Sequence, residues 1–182
     1  NIKKGLCLMI IWFTGLSGSG KTTLGKKFFE VLKKKSQSTI FLDGDEFRSI
    51  FKNDIEYTLK DRDINAYRLT RLVKVLSKQR INIVISANLT NFKFRSWCRK
   101  EIKDYFEIYL EATKNTLLKR DYKNLYKNAL KGKIKNVVGI DLPFTKPKGC
   151  DLYIENNLMK NKLFENVKKI FITLKKNKIK LF

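Results

Sequence analysis

The 182-residue sequence contains no histidine at all. That absence excludes Ser-His-Asp and Cys-His catalysis, H-E-x-x-H zinc chemistry and any imidazole proton shuttle. Catalysis must then rest on carboxylates, lysine, arginine, hydroxyls, backbone amides or a hard cation. Cysteine is scarce: Cys7, Cys98 and Cys150 are odd in number, widely spaced and outside any C-x-x-C pair. They make neither a disulfide framework nor a thiolate metal site, and a reducing cytoplasm is the expected setting. Long apolar runs are also missing, since the longest, Leu6 to Phe13, is too short to cross a bilayer. Lys3 and Lys4 precede it, but a glycine-rich loop follows in place of a small-residue cleavage site. It therefore reads as a buried strand and not as a secretory signal, and no membrane partner is expected. Residues 1–8 read as an extension, with Met9 as the natural start.

Acidic residues are few, 17 against 40 basic ones, for a net charge of +23. The basic set is 32 lysines and only 8 arginines. Readers of bases and binders of phosphate lean on arginine forks, so a lysine-rich solvated surface is preferred to a polynucleotide partner. No nucleic-acid partner is expected; a basic nucleic-acid-binding ATPase is the alternative from another class. Hydrophobic content of 43% with 12% aromatic excludes a disordered chain, and the length fits one domain spanning 1–182.

What is present is an alternation of strand and helix from one end to the other. Leu6–Phe13 is a continuous apolar run suited to a central parallel strand covered on both faces. Helix is expected over about 22–35, then a short strand Thr39–Leu42, a short helix over 46–52 and a long helix Asp61–Gln79. Strand Ile81–Ser86, helix Phe92–Asp104 and strand Tyr105–Leu110 follow, then helix over 113–130 in one or two pieces. Residues 131–149 hold both prolines, Pro143 and Pro147, and three of the nine glycines, so they form the longest loop. Asp151–Glu155 is a last strand, and Leu163, Phe164, Val167, Ile170, Phe171 and Leu174 mark one face of a closing helix with a frayed tail from Lys175 to Lys180. Such repeated units imply an α/β fold with ligands at the carboxyl ends of its parallel strands.

Gly15-Leu16-Ser17-Gly18-Ser19-Gly20-Lys21-Thr22 matches G-x-x-x-x-G-K-[ST], between a buried strand and a helix. Glycines let successive N–H groups wrap phosphate oxygens at a helix N-terminus. Lys21 would neutralise the β and γ phosphates and the Thr22 hydroxyl would hold Mg²⁺. A dinucleotide fingerprint fails, because Thr23 stands where the third glycine is needed. The fold class is accordingly a P-loop NTPase-type three-layer sandwich, with ATP and Mg²⁺ as its cofactors.

Asp43-Gly44-Asp45 closes the second strand, so both carboxylates face the strand-end cleft. Without histidine, a carboxylate is the natural acceptor for a substrate hydroxyl's proton. The plainer possibility is that Asp45 caps a helix beginning at Glu46, with Arg48 as its partner. On the long helix, Leu69, Leu72, Val73 and Leu76 form the buried stripe, and stepping back along it reaches Asn65 and Arg62. Polar groups on a core-facing stripe fit a polar ligand better than an Asp61–Arg62 pair or a frayed turn. Lys131, Lys133 and Lys135 fit either a lid over phosphates or a solvated loop.

Taken together, these segments resemble the adenylylsulfate kinase family from Ile10 to about Asn156. The likeness is carried by Ile11 to Thr23, Leu42-Asp43-Gly44-Asp45 with Arg48, Asp61-Arg62 with Asn65 and Arg68, Leu125-Tyr126-Lys127, and Ile134-Lys135-Asn136 with Gly139-Ile140-Asp141. The resemblance implies ATP-dependent phosphorylation of a ribose 3′-hydroxyl on an activated nucleotide, by a homodimer. It makes Asp45, with Lys21, catalytic, and Gly15 to Thr23 with Arg120 the ATP site. It assigns Asp43, Arg48, Tyr57, Arg62, Asn65, Leu89, Thr90, Lys135, Val137 and Phe144 to the acceptor, with 131–149 as a lid. Four departures stand out. The family's lid Phe-Thr is Val137-Val138, its opposing Phe-Ser is Tyr57-Thr58, its Ile-Ser-Pro-Tyr is Leu89-Thr90-Asn91-Phe92, and one of its paired arginines is Tyr67 beside Arg68. Losing one aromatic jaw removes base stacking worth about 1–3 kcal/mol. A variant of the family takes cytidine diphosphoramidate, for phosphoramidate on bacterial capsule sugars. The altered clamp favours that acceptor, with adenylyl sulfate as the alternative.

Overall fold

The computed structural model describes residues 8–52, 54–121, 123–157, 162–177 and 179. Five parallel strands form one sheet: β1 (Ile10–Thr14), β2 (Thr39–Asp43), β3 (Asn82–Ser86), β4 (Tyr105–Glu111) and β5 (Leu152–Glu155), in the order β2-β3-β1-β4-β5. Seven helices connect and flank them among the described residues: α1 (Lys21–Lys35), α2 (Gly44–Ser49), α3 (Leu59–Leu76), α4 (Phe92–Glu101), α5 (Lys114–Lys119), α6 (Leu125–Leu130) and α7 (Leu163–Lys176).

The alternation of side chains along β1 divides the core in two. Ile11 and Phe13 face one way, packing with Leu24, Phe28 and Leu32 of α1 and Val167, Ile170 and Leu174 of α7. Ile10 and Trp12 face the other way, against Leu69 and Val73 of α3 and Phe94 and Cys98 of α4. With every β1 residue buried, the continuous apolar run is explained by two covered faces. The expected three-layer sandwich is therefore the one observed.

The chain leaves β1 first toward β3 and β2 and then toward β4 and β5, so the end of β1 is where the sheet reverses direction. Open α/β sheets bind ligands at that point. Element ends differ from expectation in a few places. β1 begins at Ile10, and residues 1–7, which carry most of the expected extension, lie outside the described residues. The third helix starts earlier, at Leu59, because the Thr58 hydroxyl accepts from the Asp61 amide at 3.2 Å. The fourth stops at Glu101, because Asp104 turns the chain into β4 with a left-handed backbone (φ 55°). The stretch 113–130 is two helices, and the closing helix runs on through Lys175 and Lys176.

Behind β4, Glu107 is fully buried and is met by Arg95 of α4 at 2.8 Å and Arg99 at 3.1 Å, with Asp151 accepting from Arg99 at 3.0 Å. This network ties α4 to the end of the 131–149 loop, since Arg95 also donates to the Lys148 carbonyl. Cys98 and Cys150 are free thiols, and burial pushes Cys98 up to about 12. Among the described residues, no helix is long and apolar enough to cross a membrane.

Candidate active site

The phosphate-loop sequence folds as its glycines require. Gly20 takes φ 95° and opens α1, and a Cβ there would run into the Asn156 amide. At Gly15 a Cβ would strike the Leu110 carbonyl. The loop is held from three sides. Ser19 donates its N–H to the Leu16 carbonyl (3.1 Å), Asn156 donates its side-chain amide to the Ser19 carbonyl (2.7 Å), and Tyr126 donates its hydroxyl to the Ser17 carbonyl (2.8 Å). Ser19 is fully buried, while Ser17 and Thr23 are exposed. Arg120 and Leu117 of the α5 region approach Gly18.

Lys21 donates to the Leu16 carbonyl at 2.9 Å. Burial pulls its ammonium down to about 8, against the opposing pull of the Asp45 and Asp43 carboxylates. Thr22 sits at the first turn of α1, with its hydroxyl 2.9 Å from Asp43 Oδ2 and 3.1 Å from Ser86 Oγ. Hard oxygens so placed beside a phosphate cradle fit Mg²⁺, which takes few protein ligands and completes its shell with phosphates and water. Thr22 and Asp43 are the residues that could hold it, directly or through water.

The D-G-D segment resolves into two jobs. Asp43, and not Asp45, caps the short helix: its Oδ1 accepts from the Asp45 amide (2.8 Å) and the Glu46 amide (3.4 Å), so α2 starts at Gly44. Arg48 does not pair with Asp45 either, and instead donates to the Glu56 carbonyl at 2.7 Å. The Asp45 side chain is left 76% exposed in the strand-end cleft, 3.4 Å from Lys123 Nζ. Sequence reasoning passed over Lys123, Tyr126 as a brace, and Asn156.

Around Asp45 the expected acceptor residues partly converge. Tyr57 presents its ring, with the Arg48 guanidinium 4.7 Å and that of Arg62 5.5 Å from its centroid. Arg62 donates to the Tyr57 carbonyl (3.0 Å) and to the Asn136 carbonyl of the 131–149 loop (2.8 Å). Burial chiefly, then the neighbouring Arg48, lowers the pKa of Arg62. Asp61 binds the Thr58 hydroxyl, at 2.6 Å. One helical turn on, Asn65 Oδ1 is buried with no hydrogen-bond partner. An unpaired buried acceptor is costly, and a ligand donor would satisfy it.

Other expected residues lie apart. Leu89 is 4% exposed and packs in the core under α3 and α4, with its amide 3.5 Å from the Thr14 hydroxyl; Thr90 beside it is half-buried. Val137 is 3% exposed and packs on Leu117 and Tyr126. Phe144 stacks on Tyr109 at 6.2 Å and, with Leu16, Tyr126 and Ile140, lines a cavity of about 430 Å³. Lys131, Lys133 and Lys135 are exposed.

The Adenylylsulphate kinase family profile matches residues 7–155. The cytidine diphosphoramidate kinase of Campylobacter jejuni subsp. jejuni serotype O:2 is 41% identical over 88% of this chain and 93% of its own. The adenylyl-sulfate kinase of Prochlorococcus marinus is 38% identical over 86% of this chain and 79% of its own. Among solved structures, the Mycobacterium tuberculosis APS kinase CysC in complex with AMPPNP and APS superposes with a TM-score of 0.80 at 28% identity, covering 92% of this chain and 98% of that one. A phosphate loop at the sheet's reversal point, facing a carboxylate and two arginines, thus sits in a chain matched along most of its length: it belongs to the adenylylsulphate kinase family, as an ATP-using nucleotide kinase.

Proposed function

We propose that the protein transfers the γ-phosphoryl group of ATP to the ribose 3′-hydroxyl of cytidine diphosphoramidate, a step toward phosphoramidate-bearing capsule sugars. The observation that carries this reading is the half-built base clamp. Tyr57 offers one aromatic face braced by two guanidiniums, and the residue expected opposite, Val137, is turned into an apolar cluster. A single stacking face suits a small pyrimidine, whereas a purine loses more from the missing jaw. The named activity of the Campylobacter jejuni relative supports the same acceptor.

In this reading the phosphate loop and Lys21 hold the ATP phosphates, and Arg120 flanks the adenine. Mg²⁺, held by Thr22 and Asp43, supplies charge neutralisation on the phosphates. Arg48 and Arg62 receive the acceptor's anionic end, with Lys135 reaching in from the 131–149 loop, which acts as a lid. Asn65 takes a hydrogen bond from the acceptor. Asp45 accepts the proton of the 3′-hydroxyl as its oxygen attacks the γ-phosphorus, and the bond to the β-phosphate breaks with its electron pair on ADP. Chemistry of this kind is mostly positioning and electrostatics, which suits a site without histidine.

The test is ADP release with Mg-ATP against cytidine diphosphoramidate and adenylyl sulfate, with phosphorus NMR locating the new phosphomonoester. Turnover on the cytidine compound with little on adenylyl sulfate is expected. Efficient turnover on adenylyl sulfate alone would return the protein to sulfate activation.

A further inference from the structure

Lys123 lies far from the phosphate-loop motif in sequence, yet its ammonium is 3.4 Å from Asp45 Oδ2 across the strand-end cleft. Its mount is specific. Lys123 sits on the turn between α5 and α6, just before Asn124, which adopts the left-handed conformation (φ 51°). Asp121 stabilises that turn twice: its carbonyl accepts from the Asn124 amide (2.8 Å) and its carboxylate from the Lys127 amide (2.8 Å). Both arms of the turn rest on the phosphate loop. Leu117 and Arg120 on the α5 side come against Gly18, and Tyr126 on α6 donates to Ser17. Burial raises the Tyr126 hydroxyl to about 12, so it stays a donor at neutral pH. The turn is therefore a bracket fixed to the ATP cradle, with its lysine pointing at the acceptor side.

We propose that Lys123 is a catalytic cation of the phosphoryl transfer, leaving Asp45 to bind the equatorial oxygens of the γ-phosphoryl as it passes from ADP to the acceptor oxygen. Lys21 meets the phosphates from the loop side and Lys123 from the opposite side, next to the carboxylate that takes the hydroxyl proton. Lys123 also lies close enough to Lys21 to oppose its protonation, as expected of two cations sharing one anion site. Without nucleotide, the exposed Lys123–Asp45 pair is a surface ion pair of little energetic weight, easily exchanged for phosphate oxygens. No bond beyond those of the transfer is made or broken; Lys123 keeps its proton throughout.

The inference rests on the kinase reading and is tested with the full chain, Mg-ATP and whichever acceptor the wild type turns over. Lys123→Met should lower kcat on the order of 100-fold while the KM for ATP and for acceptor each move less than about threefold, as expected for charge stabilisation confined to the transition state. Lys123→Arg should recover at least a tenth of the lost rate. ADP with aluminium fluoride and acceptor, a mimic of the planar phosphoryl group, should bind tightly to wild type and not to Lys123→Met. A Lys123→Met kcat within threefold of wild type, a loss carried by either KM, unchanged trapping of the mimic, or an arginine variant as slow as methionine overturns the assignment. A wild type inactive on both acceptors defeats the kinase reading instead.

Discussion

The two halves of the cleft are built to different standards. On the nucleotide side, backbone does the work: glycine slots are filled by Leu110 and Asn156, and the Ser17 and Ser19 carbonyls are pinned by Tyr126 and Asn156. On the acceptor side, long side chains do it. Tyr57 is 51% exposed, the Asp45 side chain 76% exposed, and Arg48 and Arg62 rest on main-chain carbonyls. A polyphosphate cradle must be preorganised, because its N–H groups act only when all of them point inward. A surface that recognises a base can be changed one side chain at a time, since little of the core leans on it. The departures from the family pattern follow this division: the phosphate loop is kept, and the acceptor clamp is altered.

Substitutions on either side should split the kinetics along that line. Lys21→Ala is expected to weaken ATP binding and to cut turnover by about 100- to 1,000-fold, because it removes a charge from the cradle itself. Asp45→Asn should cut turnover by about 100- to 10,000-fold yet leave ATP binding within about twofold, measured by calorimetry, because its carboxylate acts on the acceptor hydroxyl. Equal damage to ATP affinity by both variants would break the division. Tyr57→Ala should raise the acceptor KM about tenfold and leave the ATP KM unchanged, consistent with loss of one stacking face. The smallest effect is a proton. Burial holds Lys21 near 8, and bound phosphates favour its charged form, so ATP binding should take up about one proton at pH 9 and almost none at pH 6.5. Calorimetry in buffers of differing ionisation enthalpy reads this directly, and equal uptake at both pH values would remove Lys21 as the source.

The nucleotide half was legible in the sequence because its chemistry is local. One buried run, eight loop residues and a helix start state both the fold and the ligand. The braces were not legible, because Asn156 reaches Ser19 across 137 residues and Tyr126 reaches Ser17 across 109, and each is an ordinary residue until the fold brings it there. Lys123 was hidden among 32 lysines for the same reason. Asp43 and Asp45 stand two residues apart at one strand end, and either could cap a helix; only the backbone course decides which does. Asn65 and Arg62 were readable because polar groups on an apolar stripe break a pattern. Val137 was not, since a valine fits a base clamp and an apolar cluster equally well by composition.

The Asn156 brace also has a consequence for how the protein comes into being. The loop it supports lies near the start of the chain, and Asn156 follows the last strand of the sheet. During synthesis, β1 waits for β3 and β4 before it has any neighbour to pair with, and the loop after it waits longer still. A chain stopped before Asn156 carries the complete phosphate-loop sequence without the amide that holds Ser19 in place. Nascent and prematurely terminated chains are thus kept from consuming ATP until almost the whole sheet has been laid down.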